Sequence, residues 1–349
     1  MHRFETRWRQ FLLSALLALS AALCCVWLKT PLPWMIGPLV ATAVARMRGA
    51  PLWAPVQARE AGQWAIGCAL GLYFTPPVLL VLQAYAGWIA PSVLFALLLG
   101  AGCGRLLRRL SGVDGVTAFF AMAVGGASEM ATQGERHGAV TEQVAAAHSL
   151  RIMMVVLIVP FGFKFLDVRG LDPYVQGSRI VDTAGLLALM AITCVAGWSL
   201  RRLRVPNAWV LGPLFATIAL TSAAINLSAL PQWTVNAGQL LIGLSLGTRF
   251  TPAFLHTAPR YLAAVALCSL SAIVLALGFA CGLAWLSGMP AATAVLATSP
   301  GGIAEMSLTA KTLQLGVPIV TAFHVVRMVA LVLLIGPLFR IGEALRRRA

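Results

Sequence analysis

Residues 61–76 read Ala61-Gly62-Gln63-Trp64-Ala65-Ile66-Gly67-Cys68-Ala69-Leu70-Gly71-Leu72-Tyr73-Phe74-Thr75-Pro76, and 176 residues later the frame returns as Ala237-Gly238-Gln239-x-x-Ile242-Gly243-x-x-Leu246-Gly247-x-x-Phe250-Thr251-Pro252. Three more blocks recur in the same order. Upstream, Pro31-x-x-Trp34-x-x-Gly37-Pro38-Leu39 matches Pro206-x-x-Trp209-x-x-Gly212-Pro213-Leu214; downstream, Gly125-Gly126-x-x-Glu129-Met130 matches Gly301-Gly302-x-x-Glu305-Met306, and His148-x-x-Arg151 matches His324-x-x-Arg327. Apolar segments resemble one another by composition alone, but composition does not repeat Gln, Glu, His and Arg at fixed spacing. The chain is therefore read as a duplication, with a first repeat at 1–176 and a second at 177–349.

The composition says where such a unit lives. Of the 349 residues 59% are hydrophobic and 11% charged, whereas a soluble domain carries about 45–50% apolar and about 25% charged residues. That balance argues against a soluble globular enzyme. The runs Phe11 to Leu28, Thr183 to Leu200 and Leu262 to Trp285 hold no charge and are long enough to cross a bilayer. Pro31 to Met47, and Ala61 to Leu82 with Thr75-Pro76-Pro77 inside it, are short or interrupted; such breaks are tolerated in lipid only where protein or a watery cavity receives the freed backbone groups. The N-terminal Arg3, Arg7 and Arg9 run into the first apolar stretch with no cleavage pattern before a soluble domain, so that stretch reads as a retained span. The seven cysteines lie inside apolar stretches, odd in number and without a CxxC pair, which argues against disulfides and zinc fingers.

A net charge of +15 would point to nucleic acid in a soluble protein, but cytoplasmic membrane loops also accumulate Lys and Arg. If each repeat has five crossing segments and its Gly-Gly segment is a re-entrant hairpin or broken helix, the repeats are inverted. The Lys and Arg outside the sixth segments then divide 19 inside to 5 outside; six full crossings per repeat would give parallel halves and 16 to 8. The inverted arrangement fits better. Its external loop balances Lys164, Arg169 and Arg179 with Asp167, Asp172 and Asp182, and both termini fall in the cytoplasm.

Ionisable groups within the membrane cost about 2.5–3.5 kcal/mol each and demand a reason. Arg151 lies nine residues into a segment starting near Glu142, about 14 Å at 1.5 Å per residue and halfway through a core of about 30 Å. Arg327, ten residues after Val317, reaches the same depth, and His148 and His324 share the helix faces of the two arginines. Two compatible readings follow. Either the arginines neutralise Glu129 and Glu305 as buried ion pairs, or the same groups line an aqueous midplane site that binds an anion or exchanges protons. The Gly125-Gly126 and Gly301-Gly302 segments suit a tight turn at a hairpin tip, where exposed N–H groups can hold an anion; close helix packing is the alternative. The Gly62-x4-Gly67-x3-Gly71 pattern reads as packing, with Gln63 and Gln239 as polar lining groups, and Trp34 and Trp209 as interfacial anchors or packing residues.

Enzyme readings find little. No GxSxG, HExxH or P-loop pattern occurs, and only His2, His137, His148, His256 and His324 are available as imidazole ligands, two of them beside arginines whose charge opposes a cation. No metal or cofactor is expected. Direct nucleic-acid binding is not supported, since the basic residues are spread over short loops and no soluble domain remains to enter a groove.

The blocks PLPWMIGPL/VPNAWVLGPL, AGQ..IG..LG..FTP and GG..EM with H..R resemble the membrane AbrB family, which is marked by this duplication, over nearly the whole chain. The resemblance implies an inner-membrane protein with duplicated halves. Members are labelled regulators of gene expression or ammonia monooxygenases and are unrelated to the small soluble DNA-binding regulator of the same name. The expectation is an all-α integral membrane protein of two inverted repeats, a secondary transporter or exporter of a small, anionic solute. Its partners are the lipid bilayer and that solute, with homo-oligomerisation open. Glu129, His148, Arg151, Glu305, His324, Arg327, Gly125, Gly126, Gly301 and Gly302 would form the binding and coupling site. The alternatives are a membrane-bound regulator acting indirectly on transcription and, last, a metal-dependent monooxygenase.

Overall fold

Prolines and glycines divide the apolar runs into fifteen helices among the residues that the computed structural model describes, 2–170, 174, 176–177, 180–252 and 259–348, and no strand occurs among them. In chain order they are α1 (His2–Trp27), α2 (Pro33–Met47), α3 (Val56–Gly71), α4 (Pro76–Ala86), α5 (Ile89–Ser111), α6 (Gly115–Met122), α7 (Ala127–Arg136), α8 (Thr141–Phe165), α9 (Thr183–Arg202), α10 (Ala208–Ser222), α11 (Gln232–Gly247), α12 (Pro259–Ser287), α13 (Ala291–Thr298), α14 (Ile303–Leu313) and α15 (Val317–Arg348). Six of them, α1, α5, α8, α9, α12 and α15, are long and apolar enough to cross a membrane. The three charge-free runs fall in α1, α9 and α12. The interrupted run 61–82 becomes α3 and α4, bent by 94° where Pro76 opens the second helix without a backbone N–H to continue the first. Asp172, Arg179 and His256 lie outside the described residues.

Helix ends repeat as the blocks do. After α1, the Thr30 N–H donates to the Cys25 carbonyl and the Lys29 N–H to the Val26 carbonyl, both at 3.0 Å; after α9, Val205 donates to Leu200 (2.9 Å) and Arg204 to Arg201 (3.0 Å). Lys29 and Arg204 take positive φ of 50° and 57°, so both helices close in the paired-bond motif that satisfies terminal carbonyls. Leu32 and Asn207, at φ 45° and 50°, then start α2 and α10.

The chain forms two compact units, and both take segments from either side of residue 176. One comprises Met1–Leu82, Leu157–His256 and Ser307–Pro318; the other comprises Gln83–Val156, Thr257–Met306 and Ile319–Ala349. In the first unit α2 packs on α1 and α11, α10 packs on α9 and α3, and α3 meets α11. The glycine frame makes these approaches. A Cβ on Gly62 would sit 2.6 Å from the Gly238 carbonyl oxygen, one on Gly67 would overlap the Val210 carbonyl, and one on Gly71 would lie 2.6 Å from Thr217 Cβ. In return, a Cβ on Gly243 would overlap the Met35 carbonyl and one on Gly247 would meet Thr42 and the Leu39 carbonyl. The AGQ..IG..LG frame of each half thus seats on the P..W..GPL segment of the other. Trp209 packs on Gly197, where an added Cβ would meet the indole at 2.8 Å.

The second unit holds α5, α6, α7, most of α8, α12, α13 and most of α15. Its core includes Leu107, Phe120, Met130, Val144 and Cys268, all fully buried, and Phe95 stacks on Phe279 with centroids 4.1 Å apart. Gln133 of α7 donates to the Val332 carbonyl of α15 at 3.1 Å, near the position where Pro337 interrupts the ladder of that helix.

Two glycines separate close packing from helix propensity. Gly67→Ala should lower thermal stability in detergent by about 1–3 kcal/mol, because the Val210 backbone has to move. Gly102, in α5 with nothing within 4 Å of an added Cβ, should gain up to about 1 kcal/mol as Ala. Thermal melting of the two variants beside wild type checks both signs.

Candidate functional site

The site is built where two helices are cut in two. Asp114 caps α6, its carboxylate accepting from the Val116 and Thr117 N–H groups at 3.0 and 2.8 Å. α6 ends at Ala123 (φ −54°, ψ 132°), the chain bends over residues 123–125, and an extended Gly126 (φ −69°, ψ 141°) leads into α7. α13 ends in the same way at Ser299 (φ −52°, ψ 141°), and Pro300-Gly301-Gly302 leads into α14. Each break strands carbonyls at the end of the first half-helix and N–H groups at the start of the second.

The carbonyl ends are met by the arginine and histidine of the long helices. Arg151, 3% exposed, donates through one terminal nitrogen to the Ala123 carbonyl at 2.8 Å and the Met122 carbonyl at 3.4 Å, and through the other to the Gly125 carbonyl at 3.3 Å. The second nitrogen also lies 2.9 Å from His148 Nδ1, and His148 Nε2 lies 2.9 Å from the Phe120 carbonyl. Arg327, 6% exposed, repeats the arrangement on the carbonyls of Ser299 and Gly301, both at 2.7 Å. His324 Nδ1 lies 2.8 Å from Arg327, and its Nε2 2.9 Å from the Leu296 carbonyl. A guanidinium only donates and a carbonyl only accepts, so both imidazoles are assigned the tautomer with the proton on Nε2 and a lone pair on Nδ1. Each Arg–His pair is a positive clamp on the negative end of a half-helix.

The expected Arg–Glu ion pairs are corrected by this geometry. Among the described residues no carboxylate is a partner of either guanidinium; the carbonyls freed by the breaks take that place. Glu129 and Glu305 stand instead in the first turns of α7 and α14, where the positive end of a half-helix favours a carboxylate. Glu305 is buried, and its carboxylate covers Gly302 so closely that a Cβ there would overlap it.

At the two Gly-Gly steps the chain bends, over 123–125 and 299–301. None of Gly125, Gly126, Gly301 and Gly302 takes a positive φ. Gly125 and Gly301 are small because neighbours close in: a Cβ on Gly125 would lie 2.9 Å from Met130 Cε, and one on Gly301 2.8 Å from Met306 Cγ and 3.0 Å from Val155.

All ten residues singled out in the sequence therefore gather around the two breaks, and all ten belong to the second unit. Arg151 and Arg327 are near enough for the charge of the first to act on the second. Arg151 Nε is buried with no acceptor among the described residues, so one cationic donor is left unspent. Sequence reasoning missed the clamp's true partners, the carbonyls of Phe120, Ala123, Leu296 and Ser299; the signal that pointed to them was the break itself. No group of three or more His, Cys, Asp or Glu that could hold a metal ion occurs among the described residues.

Removing a clamp leaves buried carbonyls without donors. Arg327→Met and Arg151→Met should each lower thermal stability by about 3–5 kcal/mol, the cost of breaking a buried charged contact. Arg327→Lys, which keeps the charge and loses the fork, should fall between. Equal melting of Arg327→Met and wild type would remove the clamp from the account.

The same arrangement is expected wherever these blocks recur, and relatives are found along most of the chain. The family profile described as "Transition state regulatory protein AbrB" matches residues 34–342. The Escherichia coli (strain K12) protein described as "Putative regulator AbrB" is 29% identical over 314 residues, covering 88% of both chains. The Bacillus subtilis (strain 168) protein described as "Uncharacterized protein YhjN" is 27% identical over 334 residues, covering 88% of this chain and 86% of its own. With the profile spanning nearly all of the sequence, this chain belongs to the AbrB family.

Proposed function

We propose that this protein is a secondary transporter or exporter of a small anionic solute, embedded in the inner membrane with both termini in the cytoplasm. The observation that carries the reading is the pair of helix breaks in one unit, each with a buried guanidinium on the carbonyl end and a carboxylate at the amide end. Unwound backbone at membrane depth is tolerated where it lines a cavity, and paired discontinuous helices are how many secondary transporters hold substrate at the midplane. Continuous helices would pack as well at lower cost. The bias of Lys and Arg among the loops supports an inverted relation of the repeats, which brings the two breaks to the same depth from opposite sides.

In this mechanism Arg151 and Arg327 supply the positive field that draws an anion toward the breaks, while their hydrogen bonds keep the carbonyl ends from repelling it. On this reading the positive ends of α7 and α14 border the solute's path, and the solute competes there with the carboxylates of Glu129 and Glu305. Protonation of either carboxylate frees an amide end for the solute, so the glutamates carry the coupling proton. With Nδ1 committed to a guanidinium, His148 and His324 hold the clamps rather than shuttle the proton.

A second reading is favoured by the name of the Escherichia coli relative, a regulator. On this reading the protein acts on gene expression indirectly, through a solute it senses or a cytoplasmic partner it binds.

Flux into proteoliposomes separates the two. Under an imposed pH gradient, wild-type protein should move at least one member of a panel of small carboxylates and inorganic anions. Glu129→Gln and Glu305→Gln should cut proton-coupled flux about tenfold or more while remaining folded, with a loss of no more than about 1 kcal/mol in stability. Absence of flux for the whole panel from well-folded protein would set transport aside in favour of regulation.

A further inference from the structure

Away from the broken helices, α9 ends in a feature that neither packing nor the proposed transport explains. Its apolar span runs from Thr183 without a charge to Arg201 and Arg202, with Arg204 just beyond the helix. Trp198, Arg201, Arg202 and Arg204 line a cleft of about 470 Å³. One acid answers the three arginines: Glu60 Oε2 accepts from Arg201 at 2.9 Å. Arg202 is stacked over the Trp198 ring at 4.9 Å, and Arg204 is held at positive φ by the helix-closing bonds. Among the described residues, then, two guanidiniums without a carboxylate border a concave surface at the point where an apolar helix passes into a basic end.

We propose that this cleft binds the headgroup phosphate of an anionic phospholipid. The chemistry fits at three levels. Guanidiniums recognise phosphate oxygens through forked hydrogen bonds and retain their charge at every physiological pH. A tryptophan one turn inside a basic helix end marks the headgroup level of a bilayer. Below the cleft α9 offers the acyl chains a free track, since Leu187, Ile192, Val195 and Trp198 are exposed, at 64%, 40%, 63% and 52%. A free phosphate would use the arginines but not that apolar track, so the occupant is a lipid. The inference stands apart from the transport reading, because the cleft belongs to the first unit and contains none of the residues at the breaks.

The test is lipid binding to the purified full chain in neutral detergent, by native mass spectrometry and thermal melting, with phosphatidylglycerol, phosphatidylcholine and inorganic phosphate as probes. Wild type should retain phosphatidylglycerol over phosphatidylcholine and gain stability from it, with inorganic phosphate giving no gain. The pair Arg202→Gln and Arg204→Gln, which leaves the Arg201–Glu60 contact in place, should weaken phosphatidylglycerol about fivefold per charge removed without changing the melting point in lipid-free detergent. Arg202→Lys with Arg204→Lys should keep most of the preference and shows whether loss in the Gln pair comes from charge. Equal retention of the two lipids by wild type, an unchanged preference in the Gln pair, or the same stabilisation from inorganic phosphate would overturn the proposal.

Discussion

Backbone carbonyls cut loose inside an apolar interior are the constraint on which this molecule turns. A helix stopped halfway leaves its last carbonyls without partners, and in lipid there is no water to take them. Here the missing donors come from a third helix in each case: Arg151 and His148 from α8 serve the end of α6, and Arg327 and His324 from α15 serve the end of α13. An arginine is suited to this work because its fork reaches two or three carbonyls at once and its charge opposes the dipole of the half-helix. Histidine adds one more donor and presents a lone pair to the guanidinium, so it extends the clamp without adding a like charge.

The other half of the architecture is made by absence of side chains. In the first unit the glycine frame of each repeat lets a helix backbone reach the P..W..GPL segment of the opposite repeat, and the exchange is reciprocal: Gly67 against Val210, Gly243 against Met35. The glycine frame meets this segment only across the halves, although each P..W..GPL helix also packs on a helix of its own half. This explains why the compact units do not follow the chain midpoint, and why a polar carbonyl of one helix can sit beneath a glycine of another without a methyl between them.

Much of this was legible in the sequence, for physical reasons that differ from residue to residue. The glycine frame was readable as packing, because small residues at helical spacing have few other uses. The Arg, His and Glu were readable as a set, since charge at membrane depth is costly and three pairs matched in spacing cannot be accidental. What misled was partner choice. Opposite charges suggest each other, so Arg151 and Glu129 looked like a pair, while the carbonyls that hold Arg151 are invisible in a sequence where every residue carries one. The Gly-Gly steps offered a turn or close packing and could not say which: the chain bends there and the glycines also make room for Met130, Met306 and the Glu305 carboxylate. The interleaving of the two units was illegible for a further reason. A glycine states that something comes close, not which helix it is.

The site that results is balanced rather than empty of charge. Two clamped cations lie within each other's field, and two carboxylates occupy the amide ends of the half-helices. Such a balance is poised to exchange an internal anion for an external one, which is the physical basis for reading the breaks as a place of transport. The account rests on each guanidinium holding its own break. Hydrogen–deuterium exchange of the folded protein in detergent, resolved for segments 115–136 and 291–313, tests that most directly. With Arg327→Lys, exchange should rise in 291–313 while 115–136 keeps its wild-type protection, and Arg151→Lys should give the reverse. Protection unchanged in both segments, or lost equally across the whole chain, would contradict it.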